Sequence, residues 1–193
     1  MPARAAQVVV GLGNPGPEYR HTRHNLGHRV VDVLGERLQA RFRARGPATV
    51  AEVVWEDTPL FLAKPFAYMN VVGPMVARLL GILDLTPAAL VVVHDDLDLP
   101  FGRVRVRHQG RSGGHNGVRS LIVALGTEAF RRVKIGVGRP DTRDEVVDWL
   151  VTTPFTRDEE AALPEIVERA ADAALGLVAT GAVRDPGPGP AGA

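Results

Sequence analysis

Two short runs constrain this chain more than any other feature. Gln7–Leu12 reads QVVVGL and Leu90–Val93 reads LVVV. Neither alternates polar with apolar residues, so a strand formed there must be covered on both faces. Between and after them lie stretches with a different period. Thr22 is placed to cap a helix whose apolar positions Leu26, Val30, Val33, Leu34 and Leu38 recur at helical spacing. A second helix is expected from Asn70 through Val76, Leu79, Leu80 and Leu83, a third over Gly117–Leu125, and two more over Glu145–Val151 and Arg157–Thr180. Further strands are expected at Thr49–Trp55 and Leu60–Ala63, separated by turn residues Asp57–Pro59. Arg103–Arg107 alternates strictly, with Val104 and Val106 on one face and arginines on the other. Val133, Ile135 and Val137 alternate with Arg132 and Lys134, which reads as a half-exposed strand. Strands alternating with helices give an α/β fold with helices on both faces of one sheet. The pairs 49–63 and 90–107 lack intervening helices, so the sheet is expected to be mixed.

At 193 residues the chain fits one domain with a substantial core. It has no cysteine, which excludes disulfides, thiolate metal sites and cysteine nucleophiles and suits a reducing cytoplasm. The opening MPARAAQVVVGLGNPG has too short an apolar run for a signal peptide, and no run is long enough to span a bilayer. The ending DPGPGPAGA has nothing to bury, and residues 185–193 are expected to be a disordered tail behind a domain of residues 1–184. The formal net charge of +1 conceals an asymmetry: residues 1–140 carry +8 and residues 141–193 carry −7. Phe101–Pro140 alone holds nine Lys and Arg against one acid, Glu128, a candidate footprint for a polyanion.

Three motifs suggest chemistry. Gly11–Gly16 spells GxGxxG after a strand, but Pro15 and Pro17 delay the helix that a dinucleotide site needs at once. The alternative is a turn presenting Asn14 at the carboxyl end of a strand. Gly110–Gly114 spells GxSxG, yet the preceding RVRVR is not a buried strand. No histidine lies beyond His115 to complete a triad after Ser112. His21, His24 and His28, with His94, Asp95, Asp96 and Asp98, contain the ligand types of a metal site at loose spacing, and HNLGH lacks the glutamate of HExxH. A site without metal or covalent intermediate is the stronger reading. His24 follows the Thr22 cap, where the helix dipole favours neutral imidazole able to take a proton from water. Asp95, just past a buried strand, is suited to bond its other ring nitrogen. Asparagines hold a carbonyl, a ribose hydroxyl or a water without titrating.

Four segments, VGLGNPGPEYRHTRHNLG, KPFAYMNVVG, HDDLDLPFGRVRVRHQGRSGGHNG and RRVKIGVGRP, occur in an order and spacing that resemble bacterial-type peptidyl-tRNA hydrolase. The resemblance spans residue 7 to about 180. It implies a single three-layer αβα domain with a twisted mixed β-sheet, monomeric and cytoplasmic, that hydrolyses the ester between peptide and tRNA without a cofactor. The substrate is peptidyl-tRNA released prematurely from ribosomes, bound through its acceptor stem and 3′ end, and the tRNA is recycled. On the matching positions, His24 is implied as the base and Asp95 as its orienting carboxylate. Asn14, Asn70 and Asn116 are implied to position substrate, with Tyr19, Tyr68, Met69 and His115 at the cleft. Arg105, Arg107 and Lys134 are implied to grip tRNA phosphate. Tyr68 stands where phenylalanine is common, and the clamp exchanges arginine and lysine relative to the family, which redistributes bidentate and point-charge contacts. Two other readings arise from the same residues: an RNA-binding protein without catalysis, and a metal-dependent hydrolase of small phosphorylated substrates. The first has no need of a His–Asp pair. The second lacks the steep salt dependence of a phosphate-backbone binder.

Overall fold

The first apolar run becomes β1 (Gln7–Gly11), buried along its whole length, and the second becomes β5 (Leu90–Asp96), equally buried. In the computed structural model, which describes residues 4–181, these two strands lie side by side and parallel at the centre of a seven-stranded sheet. The other strands are β2 (Arg43–Arg45), β3 (Ala48–Trp55), β4 (Thr58–Pro65), β6 (Val104–Arg107) and β7 (Arg131–Gly136). Their spatial order is β2-β3-β4-β1-β5-β7-β6. The inner four are parallel, while β2, β3 and β6 pair antiparallel at the two margins, so the sheet is mixed as expected. The reading of residues 185–193 as a tail lies outside the described residues.

The helices are α1 (Leu26–Arg37), α2 (Val72–Leu83), α3 (Asn116–Leu125), α4 (Val146–Val151) and α5 (Arg157–Thr180). Side-chain alternation along the strands divides the core in two. Val9, Val91, Val93, Val133 and Ile135 face α1 and α5; Val8, Val10, Leu90 and Val92 face α2 and α3. The result is three layers. From β1 the chain crosses through α1 toward β4; from β5 it proceeds the other way to β7. Connections therefore diverge at the carboxyl ends of β1 and β5, the crevice in which open α/β sheets bind ligands.

Several local expectations are corrected. Thr22 does not cap α1: its hydroxyl donates to the Tyr19 carbonyl, and Arg23–Asn25 make a separate 3-10 turn before α1 starts at Leu26. Asn70 likewise lies in a 3-10 turn, Met69–Val71, ahead of α2. The β3–β4 hairpin is tighter than its sequence suggested. Only Glu56 and Asp57 turn, both at positive φ, and Thr58 and Pro59 already pair with Trp55 and Val54. Strand β2 is three exposed residues, too short to leave a pattern. Strand β7 is not half-exposed. Arg131 and Arg132 are buried because their guanidinium groups are taken up by backbone carbonyls. Arg131 donates to Leu177, Gly181 and Ala88 carbonyls and to Gln7 Oε1, and burial pulls its pKa down to about 10, so it stays cationic at neutral pH. Arg132 donates to the carbonyls of Gly110 and Arg111, and burial lowers its pKa too.

Helix α1 sits against the sheet backbone to backbone. A Cβ on Gly27 would overlap the Val93 carbonyl oxygen and the Leu12 backbone; one on Gly11 would overlap the Gly27 carbonyl. Gly27→Ala is expected to cost about 3 kcal/mol through overpacking that rigid backbone cannot relieve, measurable as a lowered denaturant midpoint at unchanged m-value. A variant as stable as the parent would show that α1 can lift without cost.

Candidate active site

The strand β5 ends in Asp95 and Asp96, and the Asp95 carboxylate, 1% exposed, receives two imidazoles. His24, in the 3-10 turn before α1, places Nδ1 at 2.9 Å from both Asp95 oxygens. His115, just before α3, places Nε2 at 3.0 Å from Oδ1. The tautomers are set by the partners. His115 Nδ1 accepts the Val118 amide at 3.2 Å and so caps α3; its proton is on Nε2 and is donated to Asp95. His24 donates Nδ1–H to the carboxylate, which leaves Nε2 as the free lone pair; among the described residues it has no partner. Burial opposes ionisation of Asp95, but the two imidazoles outweigh it and hold its carboxyl well below the usual carboxylate range. Burial alone would lower the His24 pKa, yet the charge of Asp95 and the hydrogen bond to it prevail, so the pKa is raised. The helix-dipole expectation of a more readily neutral His24 is therefore corrected: the carboxylate, at hydrogen-bond distance, dominates over a helix that has not yet begun.

These groups lie in a cleft of about 650 Å³ at the crevice above β1 and β5. One wall holds Asn14, Tyr68, Met69 and Asn70; another holds Gly114, His115 and Asn116; α4 contributes Val146, Val147, Leu150 and Val151. Asn14 is fixed on three sides. Its backbone amide donates to Asn25 Oδ1, its carbonyl accepts from Asn25 Nδ2, and its Oδ1 accepts from the Met69 amide, each at 2.9 Å. With Oδ1 so engaged, Asn14 Nδ2 is left as the donor toward the cleft. Asn70 and Asn116 are exposed, and their side-chain amides bond no other described residue. Tyr19 stands outside this lining and meets the exposed Tyr68 edge to face at 6.2 Å between ring centroids. The GRSGG turn is held by Arg132 through its carbonyls, and Gly113 and Gly114 take positive φ.

The candidate metal set from the sequence is dispersed. His21 and His28 line a separate cavity behind Asn14. His94 is buried, donates Nδ1–H to the Asp95 carbonyl at 2.6 Å, and is held well below its usual pKa by burial and by His115. Asp96 Oδ1 accepts the amides of Asp98 and Leu99, and Asp98 pairs with Arg139. His24, Asp95 and His115 do come close enough to hold an ion, but His115 is turned to donate, and binding a metal through Nε2 would require that proton to leave. No stoichiometric zinc uptake is expected at neutral pH; titration calorimetry showing a tight one-to-one site, abolished by His115→Ala, would reverse this.

Nine cations between Phe101 and Pro140 reduce to fewer free ones. Arg131 and Arg132 are internal, Lys134 pairs with Asp96, and Arg139 with Asp98. Arg103, Arg105 and Arg107 are exposed on or beside β6 at the sheet margin, with Arg105 opposite Lys134 and Arg107 opposite Arg132. Arg111 and Arg119 are also exposed. Sequence reasoning missed Asn25, the α4 wall, and Arg23, which is fully buried. Only the wall had a signal, the apolar cluster in VVDWLV.

Fold and site define a single-domain α/β protein with a histidine–carboxylate centre at the switch point of its sheet. The family model described as peptidyl-tRNA hydrolase matches residues 8–185. Peptidyl-tRNA hydrolase of Mycobacterium tuberculosis is 48% identical over 176 residues, 90% of this chain and 92% of the relative; that of Nocardia farcinica is 44% identical over 182 residues, 93% and 94%. The crystal structure of the Acinetobacter baumannii peptidyl-tRNA hydrolase superposes with a TM-score of 0.84 at 29% identity, covering 91% of this chain and 89% of that one. The chain belongs to the peptidyl-tRNA hydrolase family and is an enzyme.

Proposed function

We propose that the chain hydrolyses the ester joining a peptide to the 3′-terminal ribose of tRNA, with His24 as general base. The observation that carries this is the Asp95 bond to His24 Nδ1, which directs a basic Nε2 into the cleft. Water held at Nε2 attacks the ester carbonyl. As its oxygen bonds to carbon, Nε2 takes the proton, and the carbonyl oxygen becomes an oxyanion. Asn14 Nδ2 is placed to hold the water, while the free amides of Asn70 and Asn116 take the peptide backbone and the terminal nucleotide. Collapse breaks the carbon–ribose oxygen bond, and the proton on Nε2 passes to the leaving oxygen. Peptide acid and tRNA result. General-base and oxyanion contributions of about 10²–10³-fold each suffice for an ester. The imidazolium formed during attack is matched by the Asp95 charge, which the buried site does not dilute.

Strand β6 lies two strands from β5, roughly 10 Å across the sheet, and its arginines suit a phosphate held that far from the ester. Lys134 is a weaker member of this clamp than Arg105 and Arg107, because Asp96 neutralises it.

Removal of the base in His24→Ala is expected to leave tRNA binding intact and to lower kcat by about 10³-fold, with a lowered thermal midpoint because the buried Asp95 loses its principal partner. In the parent, kcat/KM should rise with pH through an apparent pKa above 6.5, since the base must be neutral and its pKa is raised. Asp95→Asn removes the cause of that rise, so the midpoint should move to lower pH while the plateau falls. A profile unmoved by Asp95→Asn would show that Asp95 does not act on the base. Within residues 101–140 five exposed arginines are, among the described residues, free of carboxylates; if this face alone meets tRNA, the log–log salt slope for binding should be no steeper than about −4.5, and Arg105→Ala should flatten it by about 1. A slope near that of all nine cations would contradict the internal pairing of Arg131, Arg132, Lys134 and Arg139.

A further inference from the structure

Arg23 precedes the base by one residue, and its guanidinium is completely buried without touching the cleft. It stacks on Trp149 of α4 at 3.8 Å and on Phe155 at 4.5 Å from the ring centroids. Its Nη1 donates to the Thr153 and Pro154 carbonyls at 2.7 and 3.1 Å, and its Nη2 to Glu159 Oε2 at 2.7 Å. That same Glu159 oxygen accepts the Thr156 amide, closing the capping box that starts α5. One planar group thus clamps the end of α4, the 153–156 link and the first turn of α5 onto the turn that carries His24.

Helix α4 has six residues, and its carboxyl end is joined by a five-residue link to the anchored start of α5. Its opposite face supplies Val146, Val147, Leu150 and Val151 to the cleft, facing Met69, Val71 and Leu97 across it. Val147 is 68% exposed, so this apolar wall is unfilled. Among the described residues, Trp149 is the α4 side chain with both a stacking contact to Arg23 and a bond back to the chain before the helix, Nε1 to the Gly138 carbonyl at 3.1 Å. The wall's distance from His24 is therefore set through Arg23 and Trp149.

We propose that Arg23 is a positioning residue that seats α4 over the cleft, and that through α4 it sets the affinity for apolar residues of the peptide beyond the one esterified to tRNA. This rests on the hydrolase reading above. Steady-state kinetics of the full chain on two esters test it: tRNA carrying a short oligoleucine peptide, and tRNA carrying one N-acetylated glycine. Trp149→Ala is expected to raise KM for the oligoleucine ester about tenfold, the scale of one lost apolar contact, and KM for the acetylglycine ester less than about twofold, with kcat on both nearly unchanged. Trp149→Phe, which keeps a ring over the guanidinium, should restore most of the loss. Arg23→Lys keeps the charge but not the fork; it should raise KM with the same preference for the longer peptide and also lower kcat on both, because the His24 turn loosens. Equal KM increases on the two esters, or unaltered KM in a Trp149→Ala protein with a lowered thermal midpoint, would overturn the proposal and leave Arg23 purely structural. If Arg23→Lys does not fold, the Trp149 pair decides alone. Failure of the parent protein to cleave either ester overturns the hydrolase reading itself, and this inference with it.

Discussion

The bare backbone contact between Gly27 and the β1–β5 pair governs where everything else can sit. A helix normally rests on a sheet through a layer of side chains; at Gly27 that layer is absent, and α1 approaches until its carbonyl meets Gly11 and its Cα meets Leu12 and Val93. The turn before α1 is thereby pulled down onto the carboxyl end of β5. A side chain as short as histidine can then reach a carboxylate that is itself part of a central strand. Moving α1 outward by the thickness of one methyl group would leave Asp95 buried without its principal partner, a costly condition for a charge so deep.

Asp95 is in turn the junction of three separately built elements. The 3-10 turn at 23–25 supplies one imidazole, the cap of α3 supplies the other, and β5 supplies the acid. Each imidazole has its second nitrogen in a different service: His115 caps a helix, while His24 faces the cleft. His94, a third imidazole packed edge to face on His115 at 4.6 Å, stays neutral and walls the acid from behind. The polar centre is therefore ordered by groups that are mostly not in contact with any substrate space.

Much of this was legible in the sequence because it rests on period and on short-range chemistry. The doubly buried strands, the mixed sheet, α5, and the pairing of His24 with Asp95 can all be read from apolar spacing or from the motifs around them. The features that were not legible depend on contacts distant in sequence. Arg131 and Arg132 sit beside valine as surface arginines would, and only the arrival of the Leu177 and Gly110 carbonyls makes them internal. Arg23 reads as one more cation in RHTRHN until Trp149 and Phe155 close over it. The Thr22 cap failed because Tyr19, three residues earlier, offered its carbonyl first. Charge density along the chain overstated the polyanion surface for the same reason: counting cations does not reveal which are already engaged.

The cleft draws its polar groups and its apolar wall from parts of the molecule that are anchored differently. His24, Asp95 and Asn14 are fixed to the central strands and to the turn before α1, whereas Val146, Val147, Leu150 and Val151 belong to a six-residue helix whose Trp149 stacks on Arg23 and bonds the Gly138 carbonyl. Substitution at those four positions therefore leaves the His24–Asp95 contact untouched, and on the proposed reading it alters only which peptides the cleft retains. The same division matters to inhibitor design. On that reading, a compound anchored on the α4 wall meets the part of the site that tolerates substitution, and one anchored on the asparagines and His24 meets the part that the proposed chemistry requires.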